Sequence, residues 1–412
     1  MDTRLADFVR DTPAGKQAAE ILRKCVHCGF CTATCPTYLL LGDELDGPRG
    51  RIYLIKQMLE GQAVTEKTRQ HLDRCLSCRS CETTCPSGVN YSHLLDIGRK
   101  LVEEKLPRTL GERLTRGVLR EVLPNSRLFG WLVNAGKLFS PLLPAKWADK
   151  LPPPTLTPCR PWPESTGVQR RMLVLAGCVQ PSLAPNINAA SARVLARLGI
   201  ALFEEAKAGC CGAVRFHLNA QEGACADMRR NIDAWWPHVD NGVEAIVVTA
   251  SGCGVQVKEY ARALADDPEY CEKAKVISGL CRDPAEILLA ESDSLLPLLA
   301  QARCERGKLA FHSPCTLQHG LKVRGVIESL LTAAGYDLVP VADGHLCCGS
   351  AGTYSILQAD LSEKLRDNKL DALNAGSPAV IATANIGCLS HLQAGSAMPV
   401  RHWIELVDEL LR

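Results

Sequence analysis

Eight of the chain's 21 cysteines stand in two runs, "CVHCGFCTATCP" at 25–36 and "CLSCRSCETTCP" at 75–86. Both runs read C-x2-C-x2-C-x3-C-P, with proline in the same place. Three thiols at successive steps of three wrap one face of a small inorganic cluster in a tight loop, whereas zinc sites gather cysteines in two separated pairs. Buried cysteines serving only as small apolar residues would not repeat a four-member spacing together with its proline.

In the bacterial ferredoxin pattern that this spacing matches, the fourth cysteine of each run serves the other cluster. Cys25, Cys28, Cys31 and Cys85 are then expected to hold one [4Fe-4S] cluster, and Cys35, Cys75, Cys78 and Cys81 a second. The proline after each fourth cysteine suits the first turn of a helix, where no N–H is needed. Between the runs, Ile52, Ile55, Met58 and Leu59 recur at helical spacing after "GPRG", which favours an all-helical ferredoxin domain over a strand-rich one. Arg49, Arg51, Arg74 and Arg79 lie near the loops and could raise the reduction potential. Taken singly, each reads as a solvated surface residue, and so do His27 and His93.

The rest of the chain is that of an ordinary folded protein, 46% apolar and 22% charged. A net charge of +2 with scattered basic residues excludes nucleic acid as the expected partner. The start "MDTRLADFVRD" resembles no secretory or transit signal, and no apolar run is long enough to cross a bilayer, so a cytoplasmic location is expected. In that reducing compartment the cysteines point to metal or catalysis, not to disulfides. The segment "LREVLPNSRLFGWLVNAGKLFSPLLPAKW" reads as helices that pack on the chain itself or lie on a membrane surface. The proline-rich 150–168 reads as a linker closing a first domain at 1–149.

A second, larger repeat follows, at 169–291 and 305–412. "RRMLVLAGC", "IALFEE", "AGCCG" and "AIVVTASGC" are answered by "KLAFHSPC", "YDLVPV", "HLCCG" and "AVIATANIGC". Cys178 to Cys210 and Cys315 to Cys347 are both 32 residues apart. Strands alternating with helices predict a parallel sheet in each repeat, and ligand sites in such sheets form beyond the carboxyl ends of the strands. Cys178, Cys210, Cys211 and Cys253 should therefore converge, and likewise Cys315, Cys347, Cys348 and Cys388. Cys159, Cys225, Cys271, Cys281 and Cys304 read as packing residues.

The arrangement C…CCG…C, twice, behind the doubled cluster motif resembles the CCG-domain iron–sulfur proteins. These include subunits of heterodisulfide reductase, anaerobic glycerol-3-phosphate dehydrogenase and lactate-utilisation systems. "GDELDGPRGRIYLIKQ", "RNIDAWWP", "HLCCGSAGTY", "TANIGC" and "VRHWIELV" are most like the iron–sulfur subunits of bacterial glycolate oxidases, over nearly the whole chain. The resemblance implies an α+β multidomain fold, a helical ferredoxin domain followed by two α/β CCG repeats. It also implies electron transfer from glycolate, by way of FAD on partner flavoprotein subunits, to an acceptor such as a membrane quinone, at the inner face of the cytoplasmic membrane. Relatives with a noncubane cluster end the last strand in C-x2-C, where this chain has Gln256 and His391. Each CCG pocket thus offers at most four thiols, and a cluster, another metal or a bare thiol nest all fit them.

No dinucleotide fingerprint, phosphate loop or carboxylate pair for work on a substrate is present. Removal of a hydride equivalent from a 2-hydroxy acid needs a flavin or similar cofactor, which is expected on another polypeptide. Two other readings compete with the relay: a catalytic CCG subunit that reduces a disulfide or quinone directly, and a zinc-rich scaffold.

Overall fold

The computed structural model describes residues 1, 3–138, 159–164, 167–302 and 305–412. Most of the expected linker and Cys304 lie outside the described residues. The chain divides into two compact units, one of Met1–Arg116 with His345–Leu365, the other of Gly117–Gly344 with Arg366–Arg412.

In the first unit, helices Pro13–Lys24, Pro48–Leu59, Glu66–Asp73 and Tyr91–Lys105 surround one core. Two of these helices open on proline, and Thr12 and Thr65 cap their helices by accepting from the Gly15 and Thr68 amides. The expected apolar stripe is buried in full, with Ile52, Ile55, Met58 and Leu59 packed on Leu22, Leu72, Leu94 and Leu95. Each such side chain contributes about 1.5–3 kcal/mol on burial. Pro36 begins helix Pro36–Leu41 as its position predicts. Pro86 does not begin a helix: it enters a turn in which the Gly88 amide donates to the Cys85 carbonyl at 3.3 Å.

The second unit holds two four-stranded parallel sheets of identical order. In the first, β1 (Arg170–Val174), β2 (Ile200–Glu204), β3 (Ile246–Val247) and β4 (Cys281–Arg282) are arranged β2-β1-β3-β4. In the second, β5 (Lys308–His312), β6 (Asp337–Leu338), β7 (Val380–Thr383) and β8 (Val400–His402) are arranged β6-β5-β7-β8. The last strand of each sheet, β4 or β8, has only two or three residues. Val174, Leu202, Leu309, Phe311 and Trp403 belong to one apolar core that both sheets share. The chain reverses direction across the sheet between β1 and β3, and again between β5 and β7. These are the switch points beside which open α/β sheets bind ligands.

Candidate metal centres

The doubled cysteine motif builds two cavities in the first unit. Cys25, Cys28 and Cys31 line one, a space of about 450 Å³, and Cys85 enters it from the other run. Cys75, Cys78 and Cys81 line the second, of about 370 Å³, and Cys35 joins them. Pro48, Cys81 and Tyr91 line both cavities, so one wall separates them. Thr34 and Thr84, each the residue before a fourth cysteine, meet across the repeat, with the Thr84 hydroxyl donating to Thr34 Oγ1 at 3.1 Å.

The two loops share an unusual backbone. His27 (φ 57°) and Gly29 (φ 85°) in the first run match Ser77 (φ 54°) and Arg79 (φ 61°) in the second. Left-handed residues spaced between right-handed ones turn successive amide N–H groups toward a common centre, a nest that suits an anion. Three of the four are not glycine, and each left-handed non-glycine residue costs roughly 1–2 kcal/mol. That cost is met twice at equivalent places. At Gly29 an added Cβ would also lie 3.0 Å from Arg49 Nη1.

Four cysteine sulfurs for each site, with Cys81 bordering both cavities, are the donor set a [4Fe-4S] cluster uses. Burial pushes the Cys31 thiol up to about 11, with Cys25 the next cause. Burial and then the charges of Cys78 and Cys75 push Cys81 well above the ordinary thiol range. Four thiolates so placed repel one another unless positive charge sits among them, so the residues fit the cluster.

Arg51 departs from its expectation as a solvated residue, being 1% exposed. It stands on helix Pro48–Leu59, where its guanidinium donates to the His71 carbonyl (2.7 Å), Thr37 Oγ1 (3.1 Å) and Asp46 Oδ1 (3.4 Å). Burial works against its charge, but Cys75, Tyr91, Cys35 and Asp46 outweigh burial and raise its pKa. Asp46 is fully buried and also bound by Arg74 at 2.9 Å. Arg49 and Arg79 pair with Glu44 and Glu82.

In the first CCG repeat Cys178 follows β1 and Cys253 sits in helix Ser251–Lys258 after β3, on either side of the switch point. Cys210 and Cys211 come from the intervening loop. Hydrogen bonds from Cys178 and then Cys211 hold the Cys210 thiol well below its usual range. Cys178 is raised first by its hydrogen bond to Cys210, and Cys211 by its bonds to Cys210 and Cys253. The four thiols thus form one hydrogen-bonded chain. Two residues that the sequence reading did not single out hold the loop: Asn231 Nδ2 donates to the Cys210 carbonyl at 2.8 Å, and Tyr260 Oη to the Cys211 carbonyl at 3.0 Å. Asn231 lies in the "RNIDAWWP" segment. Gly212 (φ 90°) and Gly349 (φ 91°) end the two Cys-Cys pairs, and a Cβ would meet Ala224 O at 3.0 Å or Ser362 O at 2.5 Å, so only glycine closes these turns.

In the second repeat Cys315 follows β5 and Cys388 lies in helix Ile386–Gln393 after β7. Cys347 and Cys348 fall in the 345–365 segment that groups with the first unit. His312, at the end of β5, was not among the expected ligands. A ring nitrogen of His312 lies within 4.8 Å of Cys388 Sγ, its Nδ1 is 3.0 Å from Thr383 Oγ1, and its Nε2 is buried with no hydrogen-bond partner. Burial, then Lys369 and His391, lower its pKa to about 3, which leaves a neutral ring able to bind a metal. The signal was its place three residues before Cys315 in "KLAFHSPC". Of the cysteines expected only to pack, Cys281 is buried, its thiol pushed up to about 12, whereas Cys159 is exposed on a segment outside the sheets.

Residues 21–89 match the family model described as a 4Fe-4S dicluster domain, and residues 172–258 and 309–393 match the cysteine-rich domain, CCG. The chain is 54% identical to the glycolate oxidase iron-sulfur subunit of Escherichia coli (strain K12), over 100% of this chain and 99% of that protein. It is 29% identical to the probable glycolate oxidase iron-sulfur subunit of Bacillus subtilis (strain 168), over 91% of this chain and 89% of that one. To lactate utilization protein A of Geobacillus sp. (strain WCH70) it is 26% identical, over 58% of this chain and 99% of that protein.

Proposed function

Because the chain belongs to the family of glycolate oxidase iron–sulfur subunits, we propose that it is the electron relay of a glycolate-oxidising complex. Partner subunits carrying FAD take two electrons from glycolate, giving glyoxylate, and this chain carries the electrons onward singly to an acceptor such as a quinone. The observation that carries the reading is the pair of cysteine-lined cavities sharing Pro48, Cys81 and Tyr91 as a common wall.

When bound, a [4Fe-4S] cluster supplies reversible one-electron storage. Cys25, Cys28, Cys31 and Cys85 would hold one, and Cys35, Cys75, Cys78 and Cys81 the other. In the second loop the Ser77 amide donates to Cys75 Sγ and holds that side chain in place. Cys178, Cys210, Cys211 and Cys253 would hold a further metal. Among the described residues no helix is long and apolar enough to cross a membrane. We place the chain in the cytoplasm, peripheral at the inner face of the membrane.

The test is reconstitution. The purified chain alone should not oxidise glycolate, and glycolate should bleach its visible iron–sulfur absorption only when the flavin subunits are added. Glycolate oxidation by the isolated chain would overturn the relay reading.

A further inference from the structure

The two cysteine cavities are not equivalent, although their sequences nearly are. Around the second, two donors reach one cysteine sulfur: the Ser77 amide donates to Cys75 Sγ at 3.4 Å and Tyr91 Oη to the same sulfur at 3.7 Å. Thr37 Oγ1 lies 3.3 Å from Cys35 Sγ but gives its proton to the Asp46 carbonyl at 2.8 Å. Arg51 Nη1 adds a cationic donor 4.0 Å from Cys35 Sγ. Ser92 lines the same cavity, and its buried hydroxyl has no partner. Tyr354, from the 345–365 segment of the same unit, has a second buried hydroxyl of that kind.

Among the described residues no hydroxyl or guanidinium donates to the sulfurs of Cys25, Cys28, Cys31 or Cys85, and Cys31 has only its own backbone amide. The buried polar atom left over there is His27 Nε2. Fixed charge is present at both cavities but is held differently: beside the first, the Met1 ammonium, half-buried, donates to the Cys25 carbonyl at 2.8 Å. Arg49, beside the first cavity, is 37% exposed on its side chain and paired with Glu44. Arg51 lines the second cavity and shares the single carboxylate of Asp46 with Arg74, which leaves one positive charge there, two cations against one anion, with Arg51 itself buried.

Reduction makes an iron–sulfur centre more negative, so sulfur hydrogen bonds and nearby positive charge favour the reduced state. Solvent access favours it too and is greater at the first centre, where Cys28 is exposed and Val26 and Phe30 are 68% and 62% exposed. Water screens charge with a high dielectric, however, whereas a cation fixed at 1% exposure acts through a much lower one. The buried charge wins.

We propose that the relay is polarised: Arg51 and Tyr91 make the Cys35/Cys75/Cys78/Cys81 centre the higher in potential, so the first electron rests there and the Cys25/Cys28/Cys31/Cys85 centre feeds it. This rests on both cavities holding clusters, as proposed above. Tyr91 and Arg51 are then positioning residues for electron transfer.

The experiment is an anaerobic redox titration of the intact holoprotein, followed by electron paramagnetic resonance, with iron and sulfide counted beforehand. Wild type should reduce in two separate waves. Tyr91→Phe and Arg51→Met, which act on different sulfurs of one centre, should each move only the higher wave downward. The shift should reach up to about tenfold in the equilibrium, ~59 mV for one electron, with iron content unchanged. Arg49→Gln should move only the lower wave. A single wave in wild type would overturn the proposal, and so would Tyr91→Phe and Arg51→Met both moving the lower wave or neither. A chain that binds no iron or sulfide would instead overturn the cluster assignment beneath it.

Discussion

Replacing Arg51 by methionine keeps most of the side chain's length but removes a charge held at 1% exposure. The substitution deletes donors to the His71 carbonyl, Thr37 and Asp46, and strands Asp46, itself fully buried, with one partner fewer. Breaking a buried pair by removing one partner costs about 3–5 kcal/mol. Arg74 stays on the other Asp46 oxygen at 2.9 Å, which places the expected loss near the lower end, about 3 kcal/mol. Against a typical domain stability of about 5–15 kcal/mol this is a large fraction. The assay is anaerobic guanidinium unfolding of the holoprotein followed by far-ultraviolet circular dichroism. The double variant Arg51→Met/Asp46→Leu should recover part of the loss, since no orphaned carboxylate remains. A loss under about 1 kcal/mol in the single variant, or a double variant no better than the single, would refute the reasoning.

Three further outcomes are expected. Cys35→Ser should perturb the paramagnetic signal of the centre built on the 75–81 loop and Cys85→Ser that of the 25–31 loop; the opposite assignment would rule out cross-ligation. Gly98→Ala should destabilise the helical unit by roughly 1–3 kcal/mol in the same unfolding assay, because its Cβ would lie 2.7 Å from Ile55 Cγ1, and Ile55→Val should relieve part of that. Asp283 caps helix Pro284–Ala290 while fully buried, and burial raises its carboxyl from 3.8 to about 7. The folded state therefore holds a proton that the unfolded state has lost between about pH 4 and 7, so stability falls as pH rises through that window. Asp283→Asn, an equal cap, should leave stability nearly unchanged at pH 4 and raise it by up to about 4 kcal/mol at pH 8.

The cysteine spacing made the two cavities legible because covalent chain length restricts which thiols can meet. Helix Pro48–Leu59 was legible from its apolar period, and six of the eight strands from apolar runs ending near cysteines. β4 and β8 were not, because Cys281–Arg282 and Val400–His402 stand in no apolar run. Arg51 was misread for a related reason. One arginine in a helical period looks like a solvated residue until Asp46, Thr37 and the His71 carbonyl are folded around it. Asn231, Tyr260 and His312 act on residues far away in the chain, at β1–β3 loops or across a sheet, where spacing carries no information.

Rapid-freeze electron paramagnetic resonance of the complete complex, mixed anaerobically with glycolate, follows the electrons themselves. Both cysteine centres of this chain should become reduced within one turnover, after the flavin and before the acceptor, and neither should do so when the flavin subunits are left out. Turnover at the full rate with both centres still oxidised would contradict the relay.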